Sequence, residues 1–221
     1  LVMEIVPKGW GTIRGQVVYG GKHVPERRKL PVAGGDAALA SRFDLRDESL
    51  IVNKDNFGLA NVVVWLDLMQ HDGMLPILES QQKPPDSNVV FACRELQFQP
   101  HVLFVRSGQT MLIRNENPVG VNVKIVPLDA RNHAGSWALA PGGRQEYKFD
   151  AEERRPLRVV NNIHPWALSY IVAKSHPYVA VTDAQGAFEI RNVPAGKRDV
   201  QLWHERVGNV AKAIAREGFA W

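Results

Sequence analysis

The chain has 221 residues, of which 45% are hydrophobic and 23% charged, and its formal net charge is +4 at pH 7. This composition is ordinary for a globular protein and provides enough core for one large or two small β domains. The basic residues are scattered, which argues against nucleic-acid binding, and no apolar run is long enough for a membrane-spanning helix. A single cysteine, Cys93, excludes an internal disulfide and cysteine-rich metal sites.

Most of the chain consists of short apolar or alternating segments separated by Gly, Pro, Asn and Asp. This pattern predicts β-strands at Trp10–Tyr19, Leu50–Val52, Asn61–Leu66, Val89–Cys93, Gln97–Gln99, His101–Arg106, Thr110–Asn115, Asn122–Pro127, Arg144–Phe149, Leu157–Val160, Tyr170–Ala173, Tyr178–Thr182, Ala187–Arg191 and Lys197–His204. The tetrapeptide Asp183-Ala184-Gln185-Gly186 predicts a hairpin turn. Many short strands with frequent turns indicate a sandwich or barrel and not a βαβ fold.

Two long connections interrupt the strands. Residues 22–49 are rich in Pro, Gly and Ala and are predicted to form a loop, with a short helical turn near Asp36–Ser41. Residues 67–87 contain Pro76, Pro84 and Pro85, which predict a connection without regular structure.

The two ends of the sequence are apolar. The arm Leu1–Val6 and the tail ending in Phe219-Ala220-Trp221 look like segments that a partner covers, and Asn209–Arg216 is predicted to be a short helix. The sequence starts at Leu1 with neither an initiator methionine nor a signal segment, so we expect a processed or partial chain.

No motif for catalysis is present. The sequence lacks a Gly-x-Ser-x-Gly elbow, a phosphate-binding loop and a His-Glu-x-x-His helix. Adjacent carboxylates occur at Asp47-Glu48 and Glu152-Glu153, but neighbours on a strand point to opposite faces. We interpret Glu152–Arg155 as a solvated turn and predict that the protein is not an enzyme.

Several segments match, in order, a pattern found in known proteins. They are Gly11–Tyr19, Asn61–Leu66, Phe98–Val102, Arg114–Gly120, Asn162–Trp166, Pro177–Asp183, Gly186–Ile190, Val193–Gly196 and Trp203–Glu205. The combination resembles the periplasmic cupredoxin-like proteins of planctomycetes, which are related to methylamine-utilisation-type cupredoxins, and it covers about residues 10–207.

This resemblance implies an all-β fold with two parts. A cupredoxin-like (plastocyanin-like) Greek-key β-sandwich is expected at 88–173. A carboxypeptidase-regulatory-like (transthyretin-like) β-sandwich is expected from 10–87 and 174–207, followed by a tail, 208–221. The resemblance also implies a location in the periplasm or cell envelope.

The resemblance further implies where copper ligands belong. In the family, a histidine follows an Asn-x-Asp-Pro-Val-Gly stretch, and here that position is Val121. A Cys-x-x-His-x-x-Met loop supplies the other ligands, and its positions are Asn161, His164 and Ala167. Copper needs soft sulfur together with imidazole nitrogen, so one remaining histidine predicts no bound cofactor. Two further family cysteine positions correspond to Ala40 and Leu96.

Other side chains are possible ligands but have ordinary structural explanations. Cys93 is predicted to be a buried thiol and His133 a solvated loop residue, with a His164–His133 metal pair kept as the alternative. His101 and His204 are predicted to be structural, whereas the loop histidines are predicted to be exposed; these are His23, His71 and His176.

The loop around His164 is the best candidate contact surface. His164 is either a former ligand or partner contact, or an imidazole held within its loop; we favour the latter. Its apolar neighbours resemble a docking patch for a protein partner; they are Pro165, Trp166, Leu168 and Tyr170.

We therefore predict a non-enzymatic, copper-free accessory subunit of a cell-envelope assembly, with any membrane association made through partner subunits. One alternative is a periplasmic electron-transfer or copper-binding protein with atypical ligands. A carbohydrate-binding module, using Trp137 and Trp166, is a weaker alternative because fold does not fix function.

Overall fold

The computed structural model describes residues 7–32, 35, 37–70, 72–86 and 88–210. Its strands are β1 Trp10–Gln16, β2 Val63–Leu66, β3 Met69–Gln70, β4 Gly73–Met74, β5 Val89–Arg94, β6 Gln97–Gln99, β7 Val102–Arg106, β8 Thr110–Asn115, β9 Val121–Ile125, β10 Gly135–Leu139, β11 Arg144–Lys148, β12 Leu157–Val160, β13 Leu168–Lys174, β14 Val179–Val181, β15 Ala187–Pro194, β16 Val200–His204 and β17 Gly208–Asn209. The helices are α1 Ala37–Ala40 and α2 Glu79–Gln82.

The predicted all-β fold is confirmed, and most strands lie within two or three residues of their predicted bounds. The prediction of an irregular connection at 67–87 is wrong, because β3, β4 and α2 form there. Leu50–Val52 is not a strand and makes only an isolated bridge from Val52 to Leu59. Strand β10 was not predicted.

Some sequence predictions lie partly or wholly outside the described residues. The arm Leu1–Val6, His71 and the tail Phe219–Trp221 lie wholly outside them. Of the predicted terminal helix, only residues 209 and 210 are described, and Asn209 belongs to strand β17. The predicted helical turn near Asp36–Ser41 is confirmed over its described part by α1. Among the described residues, no helix is long and apolar enough to cross a membrane.

The chain divides into two compact units. The first consists of residues 1–26, 49–83 and 176–221, and the second of 27–48 and 84–175. The family resemblance predicts that residues 27–48 belong with the flanking strands, within 10–87. In the structure this segment belongs to the second unit because its apolar side chains pack against Leu96 and Trp166.

The second unit is a sandwich of two sheets. One sheet has the order β10-β9-β12-β13-β7 and the other the order β11-β8-β5-β6. Strands β13 and β7 run parallel, as do β5 and β8, so each sheet contains one pair that a hairpin cannot connect. Alternate residues of both sheets point inward and form one core, which includes Phe91, Phe98, Ile113, Ile125 and Ile171.

The first unit contains β1 paired with β15, the sheet β14-β2-β16-β17 and the β3–β4 hairpin. Its core includes Ile13, Val64, Leu66, Tyr178 and Ile190. The Tyr178 side chain is fully buried, and its hydroxyl donates a hydrogen bond to the carbonyl oxygen of Pro76.

The predicted turn at Asp183–Gly186 is confirmed. The Asp183 carboxylate accepts hydrogen bonds from the backbone N–H groups of Gln185 and Ala187, and Gly186 adopts φ +75°. A Cβ atom on Gly186 would lie 2.3 Å from the carbonyl oxygen of Val17 and 2.7 Å from Cα of Gly58. Glycine is therefore required here both by the backbone conformation and by the close approach of the neighbouring chain.

Candidate functional site

Four predicted ligand positions meet at one end of the second unit. Val121 begins β9, Asn161 follows β12, and His164 and Ala167 lie in the loop that leads into β13. Strands β12 and β9 are paired through Val160 and Lys124, which brings the start of β9 to the loop. Val121 and Ala167 belong to the same buried core cluster. The fold therefore places Asn161 beside the start of β9.

Asn161 organises this loop through its side-chain amide. Its Oδ1 atom accepts hydrogen bonds from the backbone N–H groups of Asn122 (3.2 Å), Ile163 (2.9 Å) and His164 (3.0 Å). Its Nδ2 atom lies 3.2 Å from Nδ1 of His164. The buried amide thus fixes both the turn and the neighbouring β9 strand.

These contacts also determine the tautomer of His164. Because Oδ1 of Asn161 accepts three N–H groups, its Nδ2 must be the atom that faces the imidazole. Nδ2 can only donate, so Nδ1 of His164 uses its lone pair as an acceptor and the ring proton sits on Nε2. The imidazole is buried and lies 5.2 Å from the Trp166 ring, centroid to centroid.

The side chains at this site do not fit copper. Val121 and Ala167 carry no donor atom, Asn161 uses its oxygen for backbone hydrogen bonds, and the Nδ1 lone pair of His164 is engaged. Thiolate and thioether ligands, which copper–cupredoxin chemistry requires, are missing from all four positions. Over the described ranges, no three His, Cys, Asp or Glu side chains converge in a way that would hold a metal ion.

Cys93 is a buried thiol, as predicted. It lies in β5 within the core of the sandwich, and burial raises its pKa to about 12, although a hydrogen bond with Asn117 partly opposes this. A thiol with so high a pKa is neither a nucleophile nor a ready metal ligand at neutral pH.

The structure does not bring together His164 and His133, the alternative metal pair. Strands β9 and β10 pair with Val121 opposite Leu139 and Ile125 opposite Gly135. His164 lies near the Val121 end, whereas His133 precedes Gly135 at the other end, about 13 Å along the strand. His133 is exposed, as predicted, and Nε2 of its ring is 3.9 Å from the Asp150 carboxylate.

The remaining histidines are mostly structural. His101 is buried, with its Nδ1 atom 3.4 Å from the Glu48 carboxylate, and it meets Tyr170 edge-on. His204 is buried, as predicted, and His23 is exposed. The prediction that His176 is exposed is wrong, because its ring is buried and its Nδ1 atom accepts the backbone N–H of Tyr178.

Trp166 is covered by the chain itself. Its indole N–H donates to the carbonyl oxygen of Leu96, and its ring packs against a cluster built largely from segment 27–48. The cluster also contains Ala40 and Leu96, the two positions where the resemblance expects cysteines. Apolar packing thus joins the segment to the sandwich at these two positions.

The candidate contact residues consequently differ in exposure. His164 is buried, Trp166, Leu168 and Tyr170 are half-buried, and Pro165 is exposed. The two exposed-Trp candidates for carbohydrate binding are also half-buried, since Trp137 packs edge-on against Tyr147.

The outer face of the five-stranded sheet continues this surface. Leu168 lies opposite Val160, which lies opposite Lys124, and Tyr170 lies opposite Arg158. We call these five residues the Tyr170 face. Lys124 and Arg158 are exposed, and neither forms a salt bridge with any described residue.

Two buried polar networks escaped the sequence analysis. Asn115 donates from Nδ2 to the carbonyl oxygens of Val119, Leu139 and Ala140, and its Oδ1 accepts the backbone N–H of Asn117. The matching Arg114–Gly120 motif was the available signal, but a motif does not reveal which loops its amides join.

The second network corrects the interpretation of Glu152–Arg155 as a solvated turn. Glu153 is buried, and its carboxylate accepts the backbone N–H groups of Leu128 and Asp129 and the side-chain amide of Asn132. Hydrogen bonds from three donors compensate the burial of this charge. Glu153 therefore stabilises the loop formed by residues 126–134.

Comparisons with known proteins give structural likeness only. No protein-family model matches the sequence, and no curated protein matches it. Among solved structures, the chain is similar to a mutant of the copper protein amicyanin, with 17% identity, 46% of this chain and 97% of that chain covered, and a TM-score of 0.36.

Two other similar structures are of different kinds. A copper-containing nitrite reductase from Thermus scotoductus is 16% identical, with 44% of this chain and 27% of that chain covered and a TM-score of 0.36. A purple cupredoxin from Nitrosopumilus maritimus is 18% identical, with 39% and 99% covered and a TM-score of 0.33. The cupredoxin-like description of the second unit rests on its two sheets, their strand order and their common core.

Proposed function

We propose that this chain is a non-enzymatic, copper-free cupredoxin-like protein that serves as a structural or protein-binding accessory subunit in the cell envelope. The observation that supports the proposal is that packed and hydrogen-bonded side chains occupy the positions where the resemblance expects copper ligands. Val121 and Ala167 fill the core there, and Asn161 engages the remaining imidazole. The envelope location follows from the family resemblance.

The first test measures metal directly. Protein purified without chelator and then offered Cu(II) is expected to retain no stoichiometric copper and to show no intense blue absorption, because the site lacks a thiolate and a thioether. Metal analysis and an absorption spectrum provide the measurement. Stoichiometric copper with the blue band would contradict the proposal and support the electron-transfer alternative. Tight binding of Cu(II) without the band would also contradict it and would indicate a site built from nitrogen and oxygen ligands.

The composition of the Tyr170 face indicates which kind of partner surface would bind to it. Val160, Leu168 and Tyr170 supply half-buried apolar surface. Lys124 and Arg158 supply two exposed cations, neither of which forms a salt bridge with a residue that the structure describes. Ile163, 51% exposed, extends the apolar area at the end of the loop. An apolar centre with basic neighbours fits a protein surface that is itself apolar with acidic neighbours.

The second test reverses these two charges. Wild-type protein is expected to recover a partner protein from native envelope extracts. The Lys124→Glu/Arg158→Glu variant is expected to recover at least about tenfold less of that partner. The matched control is Arg144→Glu/Lys148→Glu, which reverses two exposed charges on β11 of the other sheet. Recovered proteins are identified and quantified by mass spectrometry. Recovery of the bait alone, or equal loss in the control, would count against this face.

A further inference from the structure

Two methionines face each other on the short β3–β4 hairpin of the first unit. Met69 lies directly opposite Met74, and Gln70 lies opposite Gly73. The hairpin is closed below this pair by a hydrogen bond from the N–H of Leu75 to the carbonyl oxygen of Leu68, at 2.7 Å. Opposite residues on antiparallel strands have Cβ atoms about 4.5–5.5 Å apart, so their side chains share one face.

These two side chains are unusually exposed. Met69 is 55% and Met74 38% exposed, whereas Met111 is fully buried in the core of the second unit. Methionine is among the residues most often found inside proteins, so two exposed and opposed methionines are not explained by packing.

The other face of the hairpin is firmly attached to its unit. Gln70 is buried, donates from Nε2 to the carbonyl oxygen of Asp67 and accepts the N–H of Asp199 at Oε1. The Asp72 carboxylate accepts a 2.9 Å hydrogen bond from the guanidinium of Arg198, whose side chain is buried. The strand positions of the methionines are therefore fixed by contacts that do not involve the methionines themselves.

We propose that Met69 and Met74 form a two-thioether site for a soft monovalent metal ion, with Cu(I) as the natural class and Ag(I) as its redox-stable analogue. Thioether sulfur selects Cu(I) over harder ions. Each methionine side chain has three rotatable bonds, which lets both sulfurs reach one ion from neighbouring backbone positions. This site belongs to the first unit, whereas His164 belongs to the second, and the proposed function calls the chain copper-free only with respect to the His164 loop. The inference therefore goes beyond the proposed function and does not depend on it.

The test titrates Ag(I) into the protein and follows the methionine methyl groups by NMR. A Cys93→Ala background removes the thiol, and Met3→Leu removes the methionine outside the described residues. Saturation with one ion per chain is expected, with shifts of the Met69 and Met74 methyl signals and none of Met111. An anaerobic competition between the protein and a chromophoric Cu(I) chelator then measures the affinity for copper.

Isosteric variants and the pH dependence of binding test which side chains bind the metal ion. Met69→Leu and Met74→Leu, singly and together, are expected to weaken binding by about tenfold or more, because leucine keeps the volume and removes the sulfur. Thioethers do not titrate, so affinity is expected to be the same at pH 5 and pH 7. Unchanged binding in the double variant would overturn the site. A fall in affinity as pH drops below about 6.5 would also overturn a purely thioether site and indicate an imidazole ligand. Neither outcome bears on Cu(II) retention at the His164 loop, so failure here is distinguishable from failure of the proposed function.

Discussion

A chain carrying Val121→His, Asn161→Cys and Ala167→Met is expected to bind one copper ion and to show the intense blue colour of a cupredoxin. The structure places these three positions near His164, at the start of β9 and in the loop between β12 and β13. The replacements would supply an imidazole, a thiolate and a thioether around the imidazole already there, the ligand set of blue-copper sites. The same change would remove the Asn161 amide from Nδ1 of His164 and free that lone pair.

The variant also predicts a change in stability that depends on copper. Without metal, loss of the Asn161 hydrogen bonds leaves three backbone N–H groups, of which that of His164 is buried, without their acceptor. We expect the free energy of unfolding to fall by roughly 2–4 kcal/mol. Added copper binds only the folded site and should restore stability in proportion to its affinity. Urea unfolding with and without copper measures both effects.

Two partial variants are the controls for this experiment. Val121→His alone and Val121→His/Ala167→Met both lack the thiolate, so neither should turn blue even where copper binds weakly. A colourless triple variant that is folded by circular dichroism would contradict the assignment of Val121, Asn161 and Ala167 as the ligand positions. A blue triple variant would show that the backbone of the second unit has the geometry of a metal site, although the present side chains do not bind a metal there.

Most strands of the second unit could be predicted from the sequence, because the pattern that indicates a strand lies within a few consecutive residues. Thr110–Asn115 and Leu157–Val160 are short segments rich in apolar residues, and both form strands with the predicted bounds. Strand β10, Gly135–Leu139, has small residues and little alternation. It forms because β9 offers a pairing edge and because Trp137 packs against the core.

Features that depend on distant contacts were not predictable. The apolar residues of 27–48 follow no helical or strand periodicity. Their burial depends on packing against Leu96 and Trp166, which are distant in the sequence. Glu153 looked solvated because the N–H groups that it accepts belong to Leu128 and Asp129, about twenty-five residues earlier in the chain. The ligand positions of the candidate site were predictable from a motif, but the replacement role of Asn161 required the hydrogen bonds.

Asn115→Ala is expected to be the most destabilising single substitution of a polar residue in the second unit. The Asn115 side chain is buried and links β8 to the loop after it and to the turn after β10, through the carbonyl oxygens of Val119, Leu139 and Ala140. Its Oδ1 atom also positions Asn117, which in turn accepts the N–H of Leu96. Alanine leaves several of these groups buried without partners.

Each unsatisfied buried group costs about 1–3 kcal/mol, so the loss should be roughly 3–5 kcal/mol for the network as a whole. Asn122→Ala is the matched control, because Asn122 also donates from its amide to two oxygens but does so at the partly exposed start of β9. That control should cost less than about 1 kcal/mol, since water replaces its partners. Urea unfolding followed by tryptophan fluorescence compares the two variants.

Equal unfolding midpoints would mean that water also reaches the carbonyl oxygens that Asn115 contacts. The hydrogen bonds of the Arg114–Gly120 motif would then not stabilise the connection between these loops. A much lower midpoint for Asn115→Ala would place the stability of the candidate site in this amide network, whether or not any metal ever binds beside it.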